Sequence, residues 1–336
     1  MYTFLKYEGK SSEERMIKEK TKITVAHKKR RNKIHNKLDR QSNKELFLMA
    51  LPSLIKLLIF SYLPMIWLII AFQFYMPPPY GILWSPLVGF DNFMYLFKSS
   101  VIVRIVQNAI VLNLLSIFCG TVVSVLLGLL VYEIQKKWMV KVSQVLMIFP
   151  FFVSWPLVGA LLEALLNDTG MITTLLSKLF GKTIYFYDEP RYWPWILTAS
   201  SVWKSAGVSI IVYYATLMGM DTEISEAADI DGAGRWKKIW YLHLPYLKQM
   251  VVINIIMSSA NILRVDFNMV YFLTKNSPIL YPTTDVIETY MFRALRTNGD
   301  FSISTATGLV QGVAGLILSY IANLIARKVE RSAAIF

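Results

Sequence analysis

The sequence predicts an all-α integral membrane protein with six transmembrane helices. Three observations support this fold class: an apolar composition, six long apolar stretches and an uneven distribution of basic residues. Of the 336 residues, 55% are hydrophobic and the mean hydropathy is +0.45, whereas soluble domains contain roughly 45–50% apolar residues. Each stretch is long enough to cross a hydrocarbon core of about 30 Å, which takes about 20 residues. The predicted spans are 57–75, 106–134, 142–166, 194–220, 249–274 and 303–326.

The first three spans carry different sequence signals. Pro52 marks the entry to the first span, Pro64 a kink and the Met-Pro-Pro-Pro run at 76–79 its exit, because proline interrupts helical hydrogen bonding. The second span contains the single cysteine, Cys119, which we expect to be a small buried apolar residue. The third span opens with an aromatic cluster around two prolines: Phe149, Pro150, Phe151, Phe152, Trp155 and Pro156.

The fourth and fifth spans carry ionisable residues. Such residues are costly in lipid, by about 2.5–3.5 kcal/mol at a helix centre on insertion scales, and therefore indicate pairs or cavities. Lys204 lies about midway along the fourth span, and Arg264 and Asp266 lie in the outer half of the fifth. Residues two apart on a helix point to different faces. We therefore expect either pairing across helices, such as Lys204 with Asp266, or contact with a transported solute.

The distribution of basic residues predicts that both termini are cytoplasmic. In that orientation 24 of the 35 Lys and Arg residues fall inside, eight outside and three within or at the edge of spans, in agreement with the positive-inside rule. Residues 1–45 are expected to form a basic cytoplasmic tail that contacts anionic lipid rather than nucleic acid. Residues 46–330 then form the transmembrane domain, and residues 221–245 form a cytoplasmic loop.

The cytoplasmic loop begins with the pattern of a short helix. Asp221 or Thr222 can cap this helix, because short polar side chains accept hydrogen bonds from the first free N–H groups. Ile224, Ala227 and Ala228 fall at i, i+3 and i+4 and form one small apolar face. A loop that only contacts solvent has no need of such a face, so we predict a docking helix.

The loop continues with a turn and a second helical pattern. Gly232 and Gly234 are expected to end the first helix and turn the chain. Residues 235–243 are expected to form a second short helix, which ends at Leu244-Pro245 before the next span. The small alanines and glycines leave room for the close approach of another protein.

This loop resembles the EAA loop of the permease subunits of binding-protein-dependent ABC importers. That signature reads Glu-Ala-Ala, three residues, Gly, nine residues, then Ile-x-Leu-Pro. This sequence departs from it only by a leucine in place of the isoleucine, which keeps the apolar volume. The spacing extends over some 20 residues and is specific. The matching positions are Glu226, Ala227, Ala228, Gly232, Leu242, Leu244 and Pro245.

The resemblance extends over roughly residues 46–330 to the carbohydrate branch of the family, near the MalF and LplB groups. It is carried by FPFFVSWPLVGAL in the third span, the approach to the fourth span and ATGLVQGV in the sixth. It implies a MetI-like permease fold in a bacterial cell membrane. It also implies import of an oligosaccharide, with a second homologous permease, two cytoplasmic ATPase subunits and an extracellular solute-binding (lipo)protein as partners.

The resemblance also implies roles for the residues of the loop. In this family the EAA helix docks into a cleft of the ATPase and transmits closure of the nucleotide sites. Carried onto this chain, Glu226 would pair with a basic residue of the ATPase. Ala227 and Ala228 would fit the cleft, and Gly232 would allow the turn.

No nucleotide site of its own is expected in this chain. A phosphate-binding loop needs a glycine five positions before Gly-Lys-Ser/Thr, but Leu176 stands there for the run that starts at Gly181. No catalytic triad or histidine metal cluster is expected within the spans, because the three histidines lie outside them: His27, His35 and His243. We therefore expect a protein that is not an enzyme and has no cofactor, with ATP and Mg²⁺ bound by the partner ATPase subunits.

A group of polar and aromatic residues marks the expected solute path. Pyranose rings stack on aromatic side chains, hydroxyl groups need polar partners, and interrupted helices near the midplane often form transport sites. If the solute is an acidic oligosaccharide, the cations Lys204 and Arg264 would have a function in binding it. The expected residues are Trp155, Trp203, Lys204, Asn261, Arg264 and Asp266.

An ion- or proton-coupled secondary transporter is the alternative. It predicts carboxylates within the spans and a repeat of two halves, but only Asp266 is well placed and residues 57–166 and 194–326 show no repeat. Uptake that survives ATP depletion and is lost with the ion gradient would favour it. A membrane enzyme or an assembly scaffold ranks third because no catalytic constellation is present.

Overall fold

The computed structural model describes residues 45–329. All regular structure in this range is helical, apart from one isolated bridge between Gln73 and Leu87. The helices are α1 Glu45–Phe72, α2 Gly81–Trp84, α3 Asp91–Lys98, α4 Ser100–Tyr132, α5 Lys137–Ile148, α6 Trp155–Leu166, α7 Met171–Phe180, α8 Trp193–Met218, α9 Thr222–Ile230, α10 Arg235–Lys238, α11 Leu244–Ser259, α12 Phe267–Thr274, α13 Tyr281–Thr284, α14 Ile287–Arg296 and α15 Phe301–Val329.

The chain divides into two compact units, of which the first ends at Trp67 and the second begins at Leu68. In its described part, the first unit consists of residues 45–67 of helix α1. Its large apolar side chains are mostly exposed, which is what contact with lipid requires. Around Pro64 the helix changes from a π-turn at Leu58–Tyr62 to a 3₁₀ helix at Leu63–Phe72, because proline cannot donate the next α-helical hydrogen bond.

The second unit is built around the pair α4 and α8. Val131 of α4 and Ile210 of α8 are buried in one cluster between them. Gly207 lets α8 approach the end of α5, because a Cβ atom at this position would lie 1.9 Å from the carbonyl oxygen of Met147. Only glycine allows such a close backbone contact.

A buried ionic cluster links α14 to α4 through a shared carboxylate. The carboxylate of Asp285 is fully buried and lies 3.2 Å from Arg104 and 2.5 Å from Arg293. Thr289 also donates to this carboxylate. Two cations and a hydroxyl group satisfy the buried anion, so Arg104 and Arg293 have structural partners within the chain.

Two of the predicted spans are not continuous helices. The predicted span 142–166 is interrupted by the 3₁₀ turn Phe149–Phe152, and the segments Lys137–Phe152 and Trp155–Phe180 are bent by 93°. Pro150 and Pro156 account for this break, because each lacks the N–H group that a continuous helix needs. The predicted span 142–166 therefore corresponds to two helical segments joined at a sharp bend.

The predicted span 249–274 is also broken, in its C-terminal half. Helix α11 ends at Ser259 and α12 begins at Phe267, where the Asp266 side chain accepts from the N–H groups of Asn268 and Met269. Between them, residues 260–263 form turns and residues 264–266 have no regular structure; we call residues 260–266 the unwound segment. The two helices have 16 and eight residues, so neither has the length of a typical span.

The helix expected at 235–243 does not end at Leu244-Pro245. Helix α10 passes through the π-turn Ile239–His243 directly into α11, and the Leu244 N–H donates to the carbonyl oxygen of Ile239. Pro245 lies in the first turn of α11 and has no N–H group to donate. The π-turn before it, in which hydrogen bonds join residues five apart, accommodates this missing donor. The predicted helix end is thus corrected to a change of helix type.

Four described helices are long and apolar enough to cross a membrane: Glu45–Phe72, Ser100–Tyr132, Pro190–Met218 and Phe301–Lys328. A fifth is obtained if the bent pair Lys137–Phe152 and Trp155–Phe180 is one span. These correspond to five of the six predicted spans. The remaining predicted span, 249–274, corresponds to α11 and α12 with the unwound segment between them.

Candidate functional site

A polar cavity of about 410 Å³ lies among α4, α8, α11 and the unwound segment. This volume falls in the range of small-molecule sites, roughly 300–1,000 Å³. Its lining is Asn113, Ser116, Ile117, Gly120, Thr121, Ser124, Ser205, Ser209, Tyr213, Asn254, Ser258, Asn261 and Arg264. Ten of these thirteen side chains carry a hydroxyl or amide group, and the lining contains one cation and no carboxylate. The cavity is therefore suited to a solute rich in hydroxyl groups.

The cavity includes Asn261 and Arg264 of the predicted path, but sequence reasoning missed most of its lining. On α4 the polar positions 113, 116, 121 and 124 recur every three to five residues and share one face. Ser205 and Ser209 on α8, and Asn254 and Ser258 on α11, repeat at i and i+4. The signal in the sequence was this helical spacing of small polar residues within apolar spans.

Side chains from four other helices hold the unwound segment. Asn113 of α4 donates to the carbonyl oxygens of Ile262 (2.9 Å) and Arg264 (3.1 Å). On α15, Gln311 donates to the carbonyl oxygen of Leu263 at 2.8 Å. The contacts from α14 and α6 involve the end of the segment: Glu288 accepts from Val265 N–H at 3.1 Å, and Trp155 Nε1 donates to Asp266 at 2.6 Å.

These contacts explain how the segment can remain non-helical. Backbone groups at membrane depth must be satisfied by the protein, and irregular backbone is tolerated there only where it is buried or lines a cavity. The segment also has short-range bonds of its own, such as that from Arg264 N–H to the Asn261 carbonyl oxygen at 2.8 Å. Asn261 and Arg264 are consequently presented to the cavity from a fixed backbone.

Lys204 and Asp266 do not pair with each other. Lys204 Nζ donates to the carbonyl oxygens of Phe151 and Val153 at the end of the 3₁₀ turn. It also lies 5.0 Å from the ring centre of Trp155, whose indole N–H binds Asp266. Of the two alternatives for these residues, the pairing of Lys204 with Asp266 is therefore wrong, because a tryptophan ring and two carbonyl groups take the place of the ion pair.

The other predicted path residues lie outside the cavity lining. Trp155 is buried and forms part of the core around α6 and α12. Trp203 is about half exposed on α8. Lys204 and Asp266 contact Trp155 rather than the cavity. Of the six predicted path residues, the structure thus brings Asn261 and Arg264 together in the cavity and places the other four elsewhere.

The predicted docking helix is present as α9. Asp221 caps it by accepting from Glu223 N–H at 3.0 Å. Gly232 follows the helix with φ of +73°, a conformation that glycine adopts without a Cβ clash. The N–H groups of Gly232 and Ala233 bind the carbonyl oxygens of Asp229 and Ala228, which is the hydrogen-bond pattern of a Schellman motif.

The surface of α9 and the turn after it are largely exposed. Glu226 and Ala227 are exposed and Ala228 is half-buried. Ile230 and Trp236 are 87% and 76% exposed, which is unusual for large apolar side chains at an aqueous surface unless they contact a partner. Glu226 and Ala227 of the motif therefore lie on an accessible surface together with Ile230 and Trp236.

The end of the EAA-like motif leads into the core. Leu244 packs against a buried cluster that contains Leu129 of α4 and Leu217 of α8, whereas Pro245 is exposed and Leu242 is half-buried. Leu244 thus anchors the start of α11 in the core, whereas Pro245 shapes the first turn of this helix.

An ionic cluster connects this region to the end of α4. Glu133 lies 3.9 Å from Arg235 and 3.6 Å from His243 Nδ1, while Lys238 binds Asp229 at 2.8 Å. His243 is only 2% exposed, and both ring nitrogens lack a hydrogen bond. Burial lowers the pKa of His243, and the opposing effect of Glu133 is smaller. Burial therefore favours the neutral imidazole over the charged form.

Within residues 45–329, no group of three or more His, Cys, Asp or Glu side chains is placed to hold a metal ion. Apart from the cation Arg264, the polar groups of the cavity are amides and hydroxyls, which bind neutral polar ligands by hydrogen bonds.

Comparison with known proteins identifies the family. Residues 120–333 match the family described as the binding-protein-dependent transport system inner membrane component. This chain belongs to that family. The permease has the MetI-like fold expected from the loop, and it is a multi-pass protein of the bacterial inner membrane.

Two curated relatives of the permease come from Bacillus subtilis (strain 168). Protein LplB is 33% identical over 291 residues, which cover 86% of this chain and 90% of LplB. The polygalacturonan/rhamnogalacturonan transport system permease protein YteP is 35% identical over 302 residues, which cover 90% of this chain and 92% of YteP. Both relatives are therefore matched over nearly their whole length.

Solved structures give the same fold. The permease matches a chain in the crystal structure of a bacterial ABC transporter involved in the import of the acidic polysaccharide alginate. The TM-score is 0.76 and the sequence identity 32%, and the match covers 87% of this chain and 98% of the other. A second structure holds the alginate transporter in complex with an alginate pentasaccharide-bound periplasmic protein.

Proposed function

We propose that this permease is one transmembrane subunit of an ATP-driven importer and that it conducts an oligosaccharide through the cavity among α4, α8 and α11. The observation that carries the proposal is the lining, in which ten of thirteen side chains offer hydroxyl or amide groups. Such groups replace the hydrogen bonds that sugar hydroxyl groups make with water. The relatives named for polygalacturonan and alginate transport support this substrate class.

The proposal includes partners that supply the substrate and the energy. An extracellular solute-binding lipoprotein delivers the oligosaccharide, and a second homologous permease completes the path. Two cytoplasmic ATPase subunits bind ATP and Mg²⁺, and the permease itself catalyses no reaction. The exposed helix α9 is the contact with the ATPase, in which Glu226 forms a salt bridge and the small residues Ala227 and Ala228 allow close approach.

The proposal also includes a topology. The membrane domain of residues 46–330 crosses the membrane six times, with the bent pair Lys137–Phe152 and Trp155–Phe180 as one span and α11 with α12 as another. Both termini are cytoplasmic, as the distribution of basic residues requires. Residues 1–45, most of which lie outside the described residues, form a basic tail against anionic lipid.

Reconstitution with the partner subunits in proteoliposomes tests the transport path. Asn254→Leu places an apolar side chain in the cavity and is expected to reduce ATP-dependent uptake of an oligogalacturonide by roughly tenfold or more, because a buried sugar hydroxyl group loses its partner. Gln249→Leu is the matched control, since Gln249 is exposed on the same helix and outside the cavity lining. Equal uptake by both variants would refute this path. Uptake that needs an ion gradient and no ATP would support a secondary transporter instead.

A further inference from the structure

Arg264 is a cation of the cavity without an ionic partner among the described residues. Arg264 is an exposed residue that lines the cavity of about 410 Å³ and also a second cavity of about 170 Å³ beside α15. Within residues 45–329 it forms no salt bridge and its side chain donates no hydrogen bond. An unpaired cation at membrane depth is costly, so its retention calls for a ligand.

The nearest candidate for an internal partner is occupied by other donors. Glu288 accepts from Val265 N–H and from Gln311 Nε2 at 2.7 Å. Burial raises the pKa of Glu288 and the positive charge of Arg264 opposes this effect, but the two side chains form no ion pair. The role of Glu288 is to hold the backbone on one side of Arg264.

The backbone on both sides of Arg264 is fixed. The carbonyl oxygen of Arg264 accepts from Asn113, that of Leu263 accepts from Gln311, and the N–H group of Val265 binds Glu288. Three helices thus position one residue whose side chain remains unpaired. Preorganisation of this kind favours a specific ligand because little ordering is needed when it binds.

Lys204, the other cation considered for the path, has a different environment. Its ammonium group binds the carbonyl oxygens of Phe151 and Val153 and lies over the Trp155 ring. It lies outside the lining of the cavity. Between the two cations, Arg264 is therefore the one available to a solute.

We propose that Arg264 determines specificity for oligosaccharides that carry carboxylate groups, such as chains of uronic acids. Guanidinium groups bind carboxylates by two parallel hydrogen bonds, and the hydroxyl and amide groups around Arg264 bind the remaining sugar oxygens. This inference rests on the proposed function, since it assigns a substrate class to the same cavity.

The test measures binding to the assembled transporter in lipid nanodiscs, without the solute-binding protein, so that receptor selectivity does not contribute. The probes are trigalacturonate and its fully methyl-esterified form, which have the same sugars and differ in charge. The unmodified complex is expected to bind the acid about tenfold more tightly than the ester. Arg264→Gln is expected to abolish this preference, and Arg264→Lys to retain part of it because the charge remains.

Arg296→Gln is the matched control, because Arg296 is an exposed cation on α14 outside both cavities, and it is expected to keep the full preference. Equal binding of acid and ester by the unmodified complex would overturn the proposal, as would a full preference in Arg264→Gln. ATP-driven uptake in proteoliposomes is measured in parallel. A normal preference for the acid without ATP-driven uptake would refute the proposed function and leave the role of Arg264 intact.

Discussion

The unwound segment and helix α9 with the turn after it differ in how their backbone groups find hydrogen-bond partners. Both interrupt a helical chain next to a membrane and leave backbone groups to be satisfied. The unwound segment is held by side chains from α4, α6, α14 and α15. The end of helix α9 is instead satisfied by backbone hydrogen bonds of the turn that follows it. A few surface contacts are added, such as the ion pair of Lys238 with Asp229 at 2.8 Å.

The difference follows from the surroundings of each region. Water can satisfy the exposed groups of α9, whereas protein must satisfy those of a segment at membrane depth. A region with few buried contacts opens at a lower free energy than one that is held from several sides. The cavity side of the permease is thus preorganised, and the α9 side retains the freedom to adjust to a partner.

The largest expected effect separates the two regions by function. Glu226→Lys reverses a charge on the exposed face of α9 and is expected to reduce the stimulation of ATPase activity by the solute-binding protein roughly tenfold or more, because it opposes a basic partner. Membrane insertion should be unchanged. Glu223→Lys in the first turn of the same helix is the matched control, and an equal loss in both variants would show that helix stability, not docking, is responsible.

The next effect is on the stability of the cavity side. Asn113→Ala leaves the carbonyl oxygens of Ile262 and Arg264 without their donor and is expected to lower the free energy of unfolding by roughly 2–4 kcal/mol. Thermal unfolding of the detergent-solubilised protein measures this change. Ser116→Ala on the same face of α4 should cost clearly less. Similar losses in the two variants would contradict the role given to Asn113.

A smaller effect is expected at the turn after α9. Gly232→Ala forces a side chain into a backbone with φ of +73° and should cost about 1 kcal/mol. Gly234→Ala is the matched control, because Gly234 has an extended backbone with φ of −66° and open space around it. Comparison of the two unfolding curves checks the prediction. Indistinguishable curves would mean that the turn does not limit stability.

The smallest effect is confined to mildly acidic pH. Burial lowers the pKa of His243, so the unfolded chain binds the proton more readily than the folded chain. Stability is therefore complete above the ordinary histidine pKa of about 6.5 and falls as pH decreases below that value toward the folded-state pKa. The groups that face the imidazole are Glu133, Lys238 and the Tyr132 ring.

His243→Gln should reduce this loss of stability. The measurement is the difference in thermal midpoint between pH 7.5 and pH 5.5 for each protein. A parallel decrease in the unmodified protein and the variant would assign the pH dependence to other groups.

Most features of helix α9 and of the turn after it could be predicted from the sequence. Asp221, the apolar face of α9 and Gly232 were predicted from local rules for caps, periodicity and turns, and the structure confirms their local geometry. These features depend on residues within one or two turns of each other. The route of the chain from α10 into α11 was mispredicted, because the rule that proline ends a helix does not consider a π-turn before it.

The cavity could be predicted from the sequence only in part. Asn261 and Arg264 stood out as polar residues in an apolar span, but the break around them depends on Asn113, Glu288 and Gln311 from distant parts of the chain. Such contacts leave no local signal. Asp266 illustrates the consequence: its charge suggested a pairing partner, whereas in the folded chain it caps α12 and binds Trp155.

Helix α4 has a mechanical consequence for the whole permease. It is unbroken and contains no proline from Asn113 to its C-cap Glu133, a distance of about 30 Å at 1.5 Å per residue. A stiff rod of this kind cannot tilt at one end alone, so a displacement of Asn113 also displaces Glu133 and the side chains in contact with it. The cavity lining at Asn113 and the ionic contacts of Glu133 with Arg235 and His243 are therefore joined by one rigid helix.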